Sequence, residues 1–274
     1  MVDVMVDKPY KLSVPDDAVE IVTDFIKSYV IKSGKKGGVI GLSGGIDSAV
    51  VAVLAKNGLG EKNIQFLILP DSNSQESDIK DAMTIAGNSP CKIIEIDSIV
   101  SALTRELKID EGDKILIGNI KARTRMIILY SYASMLNYLV IGTGNKSELL
   151  TGYFTKYGDG GADLLPIGDL YKTEVFEIAK KINIPVNIIN KAPTAGLWPG
   201  QKDEEELGID YRSLDMILYG LEHLDSISDI SRKAGVDLDT VKKIQEMVMR
   251  SWHKRNLPPV LKLSYRTVGV DWYD

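Results

Sequence analysis

Cysteine is almost missing from this chain: Cys91 is the only one among 274 residues. That excludes a disulfide framework and a cluster of thiolate metal ligands. Long apolar runs are missing as well. None approaches the ~20 residues that span a bilayer, and the opening MVDVMVDKPYK lacks the apolar centre of a secretion signal. Nor is there a surplus of positive charge. Lys and Arg number 33 against 38 Asp and Glu, a net of −5, whereas a dedicated nucleic-acid binder carries a basic face. A small anionic substrate stays open, since a few local lysines suffice to hold one. Repeats of roughly 20–50 residues and low-complexity segments are also absent. The expectation is a soluble protein of the reducing cytoplasm, with neither nucleic acid nor membrane as partner.

What is present alternates. Ala18, Val22, Phe25, Ile26 and Tyr29 recur at helical spacing and predict a helix over 16–33. Apolar runs at 39–42, 64–70, 91–96 and 138–144 read as buried strands, and a short fifth is expected in VNIIN at 186–190. Helices are predicted between them at 46–56, 75–86, 99–107, 120–136 and 173–182, and two or three more follow, one over 238–252. Nearly continuous apolar strands alternating with helices indicate a parallel sheet covered on both faces. The fold class is therefore α/β: a Rossmann-like, doubly wound parallel sheet of about five strands in the order 3-2-1-4-5. No convincing linker divides the chain, so residues 1–274 are expected to form one domain. The stretch TRMIILYSYASMLNYL is apolar on more than one face. It reads as a central core helix, as a helix buried against a second subunit, or as both.

VIGLSGGIDSA, at 39–49, joins the first strand to a helix through a glycine-rich turn. Such a turn points backbone N–H groups at an anion, and the helix N-terminus adds about half a positive charge. Gly44 and Gly45 allow close approach, while Ser43 and Ser48 offer hydroxyl donors. The lysine of a GxxxxGK[ST] loop is lacking, and Asp47 stands in the turn instead. A bare carboxylate repels phosphate unless a divalent cation bridges them, and Mg²⁺ takes one or two carboxylates together with phosphate oxygens. The plain alternative is an Asp/Ser cap on an ordinary strand–helix turn.

A second loop-rich stretch follows the fourth strand. Residues 143–169 hold six glycines and four acids, Glu148, Asp159, Asp163 and Asp169. A connection that long in a compact domain is usually functional or disordered. In an open parallel sheet, ligands sit at the carboxyl ends of the strands where the strand order reverses. The order 3-2-1-4-5 makes strands one and four neighbours there, which brings Asp47 and Glu148 to one crevice although 101 positions separate them. Lys172 falls in the first turn of the next helix, where the macrodipole opposes a cation. Reaching a phosphate explains it better than the alternative, a solvated surface lysine.

GLSGGIDSA resembles the pyrophosphate loop of the N-type ATP pyrophosphatases, whose fold is adenine nucleotide alpha hydrolase-like. The resemblance implies cleavage of ATP between its α and β phosphates, leaving AMP on a substrate oxygen. NIKARTRM, FTKYGDGGADLLPI, LYK, KAPTAGLWPGQKDEEELG and HKR are similar, in order and spacing, to ammonia-dependent NAD synthetases, from about residue 15 to 260. That family implies ATP-dependent amidation of deamido-NAD by ammonia, giving NAD, AMP and pyrophosphate through an acyl-adenylate. By resemblance Gly41, Leu42, Ser43, Gly44, Gly45, Ile46, Asp47 and Ser48 hold ATP, completed by Thr143, Lys172 and Thr194. Asp47 and Glu148 become the Mg²⁺ ligands. Arg123, Lys156, Asp163, His253 and Lys254 bind deamido-NAD, with Asp159 close by; since ammonia is mostly ammonium at pH 7, a carboxylate that deprotonates it would help, and Asp159 is the candidate. A homodimer is implied too.

Each position has a plainer alternative. Arg123 reads as a surface helix residue, Lys156 and Asp163 as turn residues, Thr194 as the follower of a turn at Pro193. His253, Lys254 and Arg255 read as cations complementing a helix C-terminus. His223, in an apolar helix, reads as structural. The segment 190–208, with an acidic run between Pro- and Gly-rich ends, is expected to be a mobile lid over ATP. One departure stands out: the family often has Asp-His after the Gly-Thr of strand four, where this chain has Gly144-Asn145. Rival functions are another ATP-pyrophosphatase amidotransferase such as a GMP synthetase, which leaves KYGDGGAD and HKR idle, and a non-catalytic adenine-nucleotide-binding protein. A tRNA-modifying relative fits poorly with the acidic charge and the lone cysteine.

Overall fold

The structure, a computed structural model, describes residues 9–110, 112–198 and 200–268. Most of the N-terminal stretch read above for a secretion signal lies outside them. Alternation along four short strands decides the layering. In β1 (Gly38–Gly41), Val39 and Ile40 enter different cores. In β2 (Ile64–Ile68), Ile64, Phe66 and Ile68 join Ile40 while Leu67 joins Val39. β3 (Cys91–Ile93) is peripheral and partly exposed, and in β4 (Leu139–Val140) the two residues again divide between the cores. A period of two sends successive side chains to opposite faces, so β1, β2 and β4 each feed both.

Helices cover both faces. On one lie α1 (Ala18–Lys32) and α2 (Ile46–Leu59). Beyond α3 (Glu76–Ala86), α4 (Asp97–Glu106) and α5 (Lys114–Leu136) cover the other. α5 starts six residues before the expected 120, because Asp113 caps it, accepting the Leu116 N–H at 3.0 Å. One face of α5 buries Ala122 and Ala133, while Ile115, Ile127 and Met135 are 71%, 57% and 68% exposed on the rest. The order β3-β2-β1-β4 is parallel throughout, with Gly38 opposite both Ile64 and Leu139.

The fifth strand is a correction. VNIIN forms a short helix instead; in chain order α6 (Lys146–Thr151), α7 (Lys172–Lys181) and α8 (Val186–Ile189) precede α9 (Asp203–Leu207). Pro185 sets the turn, its carbonyl accepting the Ile188 N–H at 2.9 Å, and only Ile188 is fully buried. The place beside β4 is taken by one parallel bridge, Ile141 to Leu164, from the glycine-rich connection. Among the described residues the sheet has four strands, against about five expected. A further apolar cluster joins α10 (Tyr211–Glu222), α11 (Ile227–Ala234) and α12 (Leu238–Arg250), and Tyr171 ties it to α7. His223 ends α10, exposed, with its ring stacked 4.0 Å from that of Tyr219. After α13 (Trp252–Arg255) the described chain has no regular element. Among the described residues no helix is long and apolar enough to cross a membrane.

Candidate active site

At the carboxyl end of β1 the turn is knitted by its own serines. Ser48 Oγ accepts the Ser43 N–H at 3.3 Å and donates to the Gly45 carbonyl at 3.0 Å, while Ser43 Oγ accepts the Gly45 N–H at 3.2 Å. Gly44 adopts φ +78°, and a Cβ there would sit 2.3 Å from the Asp78 carbonyl oxygen. Only glycine fits. Gly45 precedes α2 in an extended conformation without a side-chain cap. The first N–H groups of α2 are thus left for an anion. Gly41 closes β1, and Leu42 and Ile46 are buried under the turn as packing residues.

The cation lacking in this loop comes from elsewhere. Lys172, 2% exposed, starts α7 and bonds Asp47 Oδ2, with Glu148 Oε1 at 3.9 Å. The dipole cost is met by Asp215, fully buried at the N-terminus of α7. It accepts the Thr173 N–H at 2.8 Å and the Ser147 hydroxyl at 2.5 Å, and that hydroxyl accepts the Lys172 N–H at 2.9 Å. Burial alone would lower the Lys172 ammonium, but Asp47 and Glu148 outweigh it and hold it above the ordinary lysine range. Burial and then the Asp47 charge push the Glu148 carboxyl up to about 8, although a fifth of its side chain still opens to solvent. A second lysine, Lys191, reaches the turn itself, 3.1 Å from the Gly44 carbonyl and bound to Asp78 and Asp81 of α3.

Glu148 also borders a cavity of about 40 Å³ with Thr143, Asp159, Phe154, Gly160 and Leu165. That is room for a molecule the size of water. Asp159 thus reaches the same recess; its carboxylate is held by the Thr155 N–H at 2.9 Å. Three expected substrate residues form a chain beside it. Arg123 Nε donates to the Lys156 carbonyl at 3.3 Å, and Lys156 Nζ to the His253 carbonyl at 2.6 Å. Lys254 bonds the Gly152 and Phe154 carbonyls at 2.7 and 2.8 Å. Burial lowers its ammonium, Asp159 opposes that, and Arg123 adds to it. Arg255 clasps the carbonyls of Leu150 and Val248 at the ends of α6 and α12. Lys254 and Arg255 therefore complement helix C-termini, the plainer alternative for the HKR run. Asp163 spends both oxygens on the Val140 N–H, at 2.7 Å, and the Tyr130 hydroxyl, at 3.2 Å.

The segment 190–208 folds over α5. Thr194 uses its hydroxyl within the segment, donating to the Gln201 carbonyl at 2.8 Å and accepting the Gly196 N–H at 3.1 Å. The Leu197 carbonyl accepts from Lys121 at 3.0 Å, and Lys121 pairs with buried Asp71 at 2.6 Å. The acidic run is not uniformly exposed. Asp203 and Leu207 are 4% and 2% exposed, and Asp203 accepts the Ala195 N–H at 2.8 Å.

Among the described residues no group of three or more His, Cys, Asp or Glu side chains is able to hold a metal. Asp47 and Glu148 alone supply hard oxygens, with Asp203 adding charge nearby and one ammonium to neutralise them. That donor set suits Mg²⁺, which completes its shell with phosphate oxygens and water.

The sequence matches the NAD synthase family over residues 18–258. This chain belongs to that family. It is 47% identical to the NH(3)-dependent NAD(+) synthetase of Saccharolobus solfataricus over 262 residues, 92% of this chain and 93% of that protein. The solved NMN synthetase of Francisella tularensis is similar with a TM-score of 0.80 and 38% identity, covering 90% of this chain and 98% of that one. The NH3-dependent NAD synthetase of Campylobacter jejuni, solved with a nitrate ion, has a TM-score of 0.76 and 35% identity over 90% and 98%. The family and the parallel α/β sheet expected from the motifs are both borne out.

Some residues of this NAD synthase site were not singled out by sequence. Asp215 had a signal, an acid among the buried positions Leu214, Ile217 and Leu218 of α10. Asn145, noted only as a departure from the family pattern, had one in NKSE, the spacing of a capping box. Lys191 and Asp203 had none, being one lysine and one acid among several similar neighbours.

Proposed function

We propose that this chain is an ammonia-dependent NAD synthetase: it adenylates the nicotinate carboxylate of deamido-NAD with ATP, releases pyrophosphate, and passes the acyl group to ammonia. One observation carries the proposal. The ammonium of Lys172 lies between Asp47 of the phosphate turn and Glu148 of the glycine-rich connection, at the carboxyl ends of β1 and β4.

The N–H groups at the start of α2, which no side chain caps, and the hydroxyl of Ser43 take the leaving phosphates. Thr143, beside Glu148, and Thr194 of the lid complete the ATP site. Asp47 and Glu148 hold Mg²⁺, which supplies charge neutralisation on the triphosphate when bound. Lys172 stabilises charge on the transferring phosphate. Arg123, Lys156 and Lys254 line the approach of the anionic dinucleotide, with His253 alongside and Asp163 fixing the connection that carries them. The small cavity beside Asp159 suits ammonia, and Asp159 accepts the proton of ammonium before attack on the carbonyl. The lid over 190–208 keeps water from the adenylate. The apolar exposed face of α5 supports a homodimer, and the whole chain acts as one synthetase domain.

Pyrophosphate release strictly dependent on deamido-NAD, with ammonium outperforming glutamine, is the expected result. Release without an acceptor, or efficient use of glutamine by the protein alone, overturns it. The resemblance to an NMN synthetase favours one second reading, nicotinate mononucleotide as acceptor. Competition between the two acceptors by kcat/KM decides.

A further inference from the structure

We propose that Asn145 is a positioning residue that sets Asp47 against Glu148 and thereby shapes the site for Mg²⁺ and ATP. This presupposes the reaction proposed above. Asn145 is completely buried, and both ends of its amide are used. Its Nδ2 donates to Asp47 Oδ1 at 3.0 Å, and its Oδ1 accepts the Glu148 N–H at 3.0 Å. Its backbone N–H donates to Glu148 Oε2 at 3.2 Å. Each carboxylate is thus pinned at one oxygen by Asn145 and turns the other, Asp47 Oδ2 or Glu148 Oε1, towards Lys172.

An amide suits this chemistry. One side chain must accept from a backbone N–H and donate to a carboxylate, and it must do so without charge. A carboxylate here would repel Asp47, and an ammonium would compete with the metal. Asparagine supplies one acceptor and two donors at that reach. Its partner Asp47 lies 98 positions away in the first turn of α2, so the bracket joins the two halves of the site as no local contact does. Groups that orient metal-binding carboxylates without touching the metal change affinity by ~10–100-fold when lost.

Two substitutions separate this bracket from plain helix capping. Asn145→Ser keeps a good cap for α6 but is too short to reach Asp47. Asn145→His keeps a ring N–H donor towards Asp47 but is a poor cap. The Mg²⁺ concentration for half-maximal pyrophosphate release, and calorimetric binding of Mg·ATP without deamido-NAD, are measured alongside thermal unfolding. The expected result for N145S is near-parental unfolding with half-saturating Mg²⁺ raised ~10-fold or more and weaker Mg·ATP binding. N145H should fall between N145S and the parent. Parental Mg²⁺ dependence and Mg·ATP affinity in N145S overturn the proposal, whether or not N145H folds. So does a loss that follows only the unfolding temperature. A parent that binds Mg·ATP but releases no pyrophosphate refutes the reaction instead, and the titrations still judge Asn145. A parent that binds no Mg·ATP overturns both.

Discussion

Replacing Lys172 by methionine removes the ammonium and keeps the stem of the side chain. The thioether still packs by the Tyr211 ring, which lies 5.3 Å from the ammonium in the parent. The attraction lost is large. Above about pH 8, where Glu148 is ionised, its 3.9 Å separation makes a unit charge pair worth about 4 kcal/mol at an effective dielectric of ~20. Much of this only offsets the desolvation of an ammonium on a side chain 3% exposed. What K172M leaves is the Asp47 carboxylate without its counter-ion, beside a Glu148 carboxyl that the loss of the ammonium pushes still higher than about 8. Stripping one partner from a buried pair costs about 3–5 kcal/mol. Asp47 and Glu148 are 17% and 20% exposed, and this partial solvation puts the cost at the lower edge, about 3 kcal/mol. Loss of a preorganised donor to the transferring phosphate lowers kcat ~10²–10³-fold. Urea denaturation followed by circular dichroism reads the first effect, and pyrophosphate release with deamido-NAD the second. Saturating Mg²⁺ should restore part of the stability and little of the rate, since it replaces the charge but not the donor. A K172M protein indistinguishable from the parent in both assays refutes the assignment.

Lys121→Met strands the Asp71 carboxylate, which is 0% exposed with Arg125 only at 3.7 Å; a loss of about 3 kcal/mol by urea denaturation is expected. Burial alone would raise the Asp71 carboxyl, but Lys121 and Arg125 outweigh it and hold it below its ordinary 3.8. That stability is present above the ordinary value and lost as pH falls through the lowered one. The gap between parent and K121M should therefore narrow on acidification below pH ~4, and a constant gap contradicts the pairing. Gly44→Ala forces a side chain onto the Asp78 carbonyl at φ +78°. It should cost more than the about 1–2 kcal/mol of the left-handed conformation alone, and parental stability would exclude the clash. Asp203→Ala removes the acceptor for the Ala195 N–H and the Tyr153 hydroxyl. Limited proteolysis should then cut 191–201 faster, and an unchanged cleavage rate would show that Asp203 does not anchor the lid.

Legibility in the sequence followed the range of the interactions. β1, the glycine turn and α2 were readable because the turn is closed by Ser43, Gly45 and Ser48, all within five positions. The meeting of Asp47 and Glu148 was readable from strand order alone, through the parallel pairing of β1 with β4. The early start of α5 was missed because Gly118 and Asn119, turn-type residues, interrupt the pattern after Ile115, Leu116 and Ile117, while the cap at Asp113 starts the helix at Lys114. VNIIN was misread because a short apolar run looks alike in strand and helix, and the turn after Pro185 decided it. In HKR, Lys254 and Arg255 were readable as cations near a helix end, but not which carbonyls they would reach 100 to 106 positions away.

By itself, then, the sequence determined the layers of the sheet, the phosphate turn, and the identity of the groups that meet at its mouth. Periodicity and turn chemistry are local properties, and a parallel strand order carries them to one edge. The tertiary structure alone decided how those groups are held. It set Lys172 between two carboxylates, placed Asp215 beneath the lysine's helix, brought Lys191 to the turn, and turned Asn145 into a bracket. Those choices depend on burial, where an unpaired charge or amide is costly and every partner must be found from a distant part of the chain.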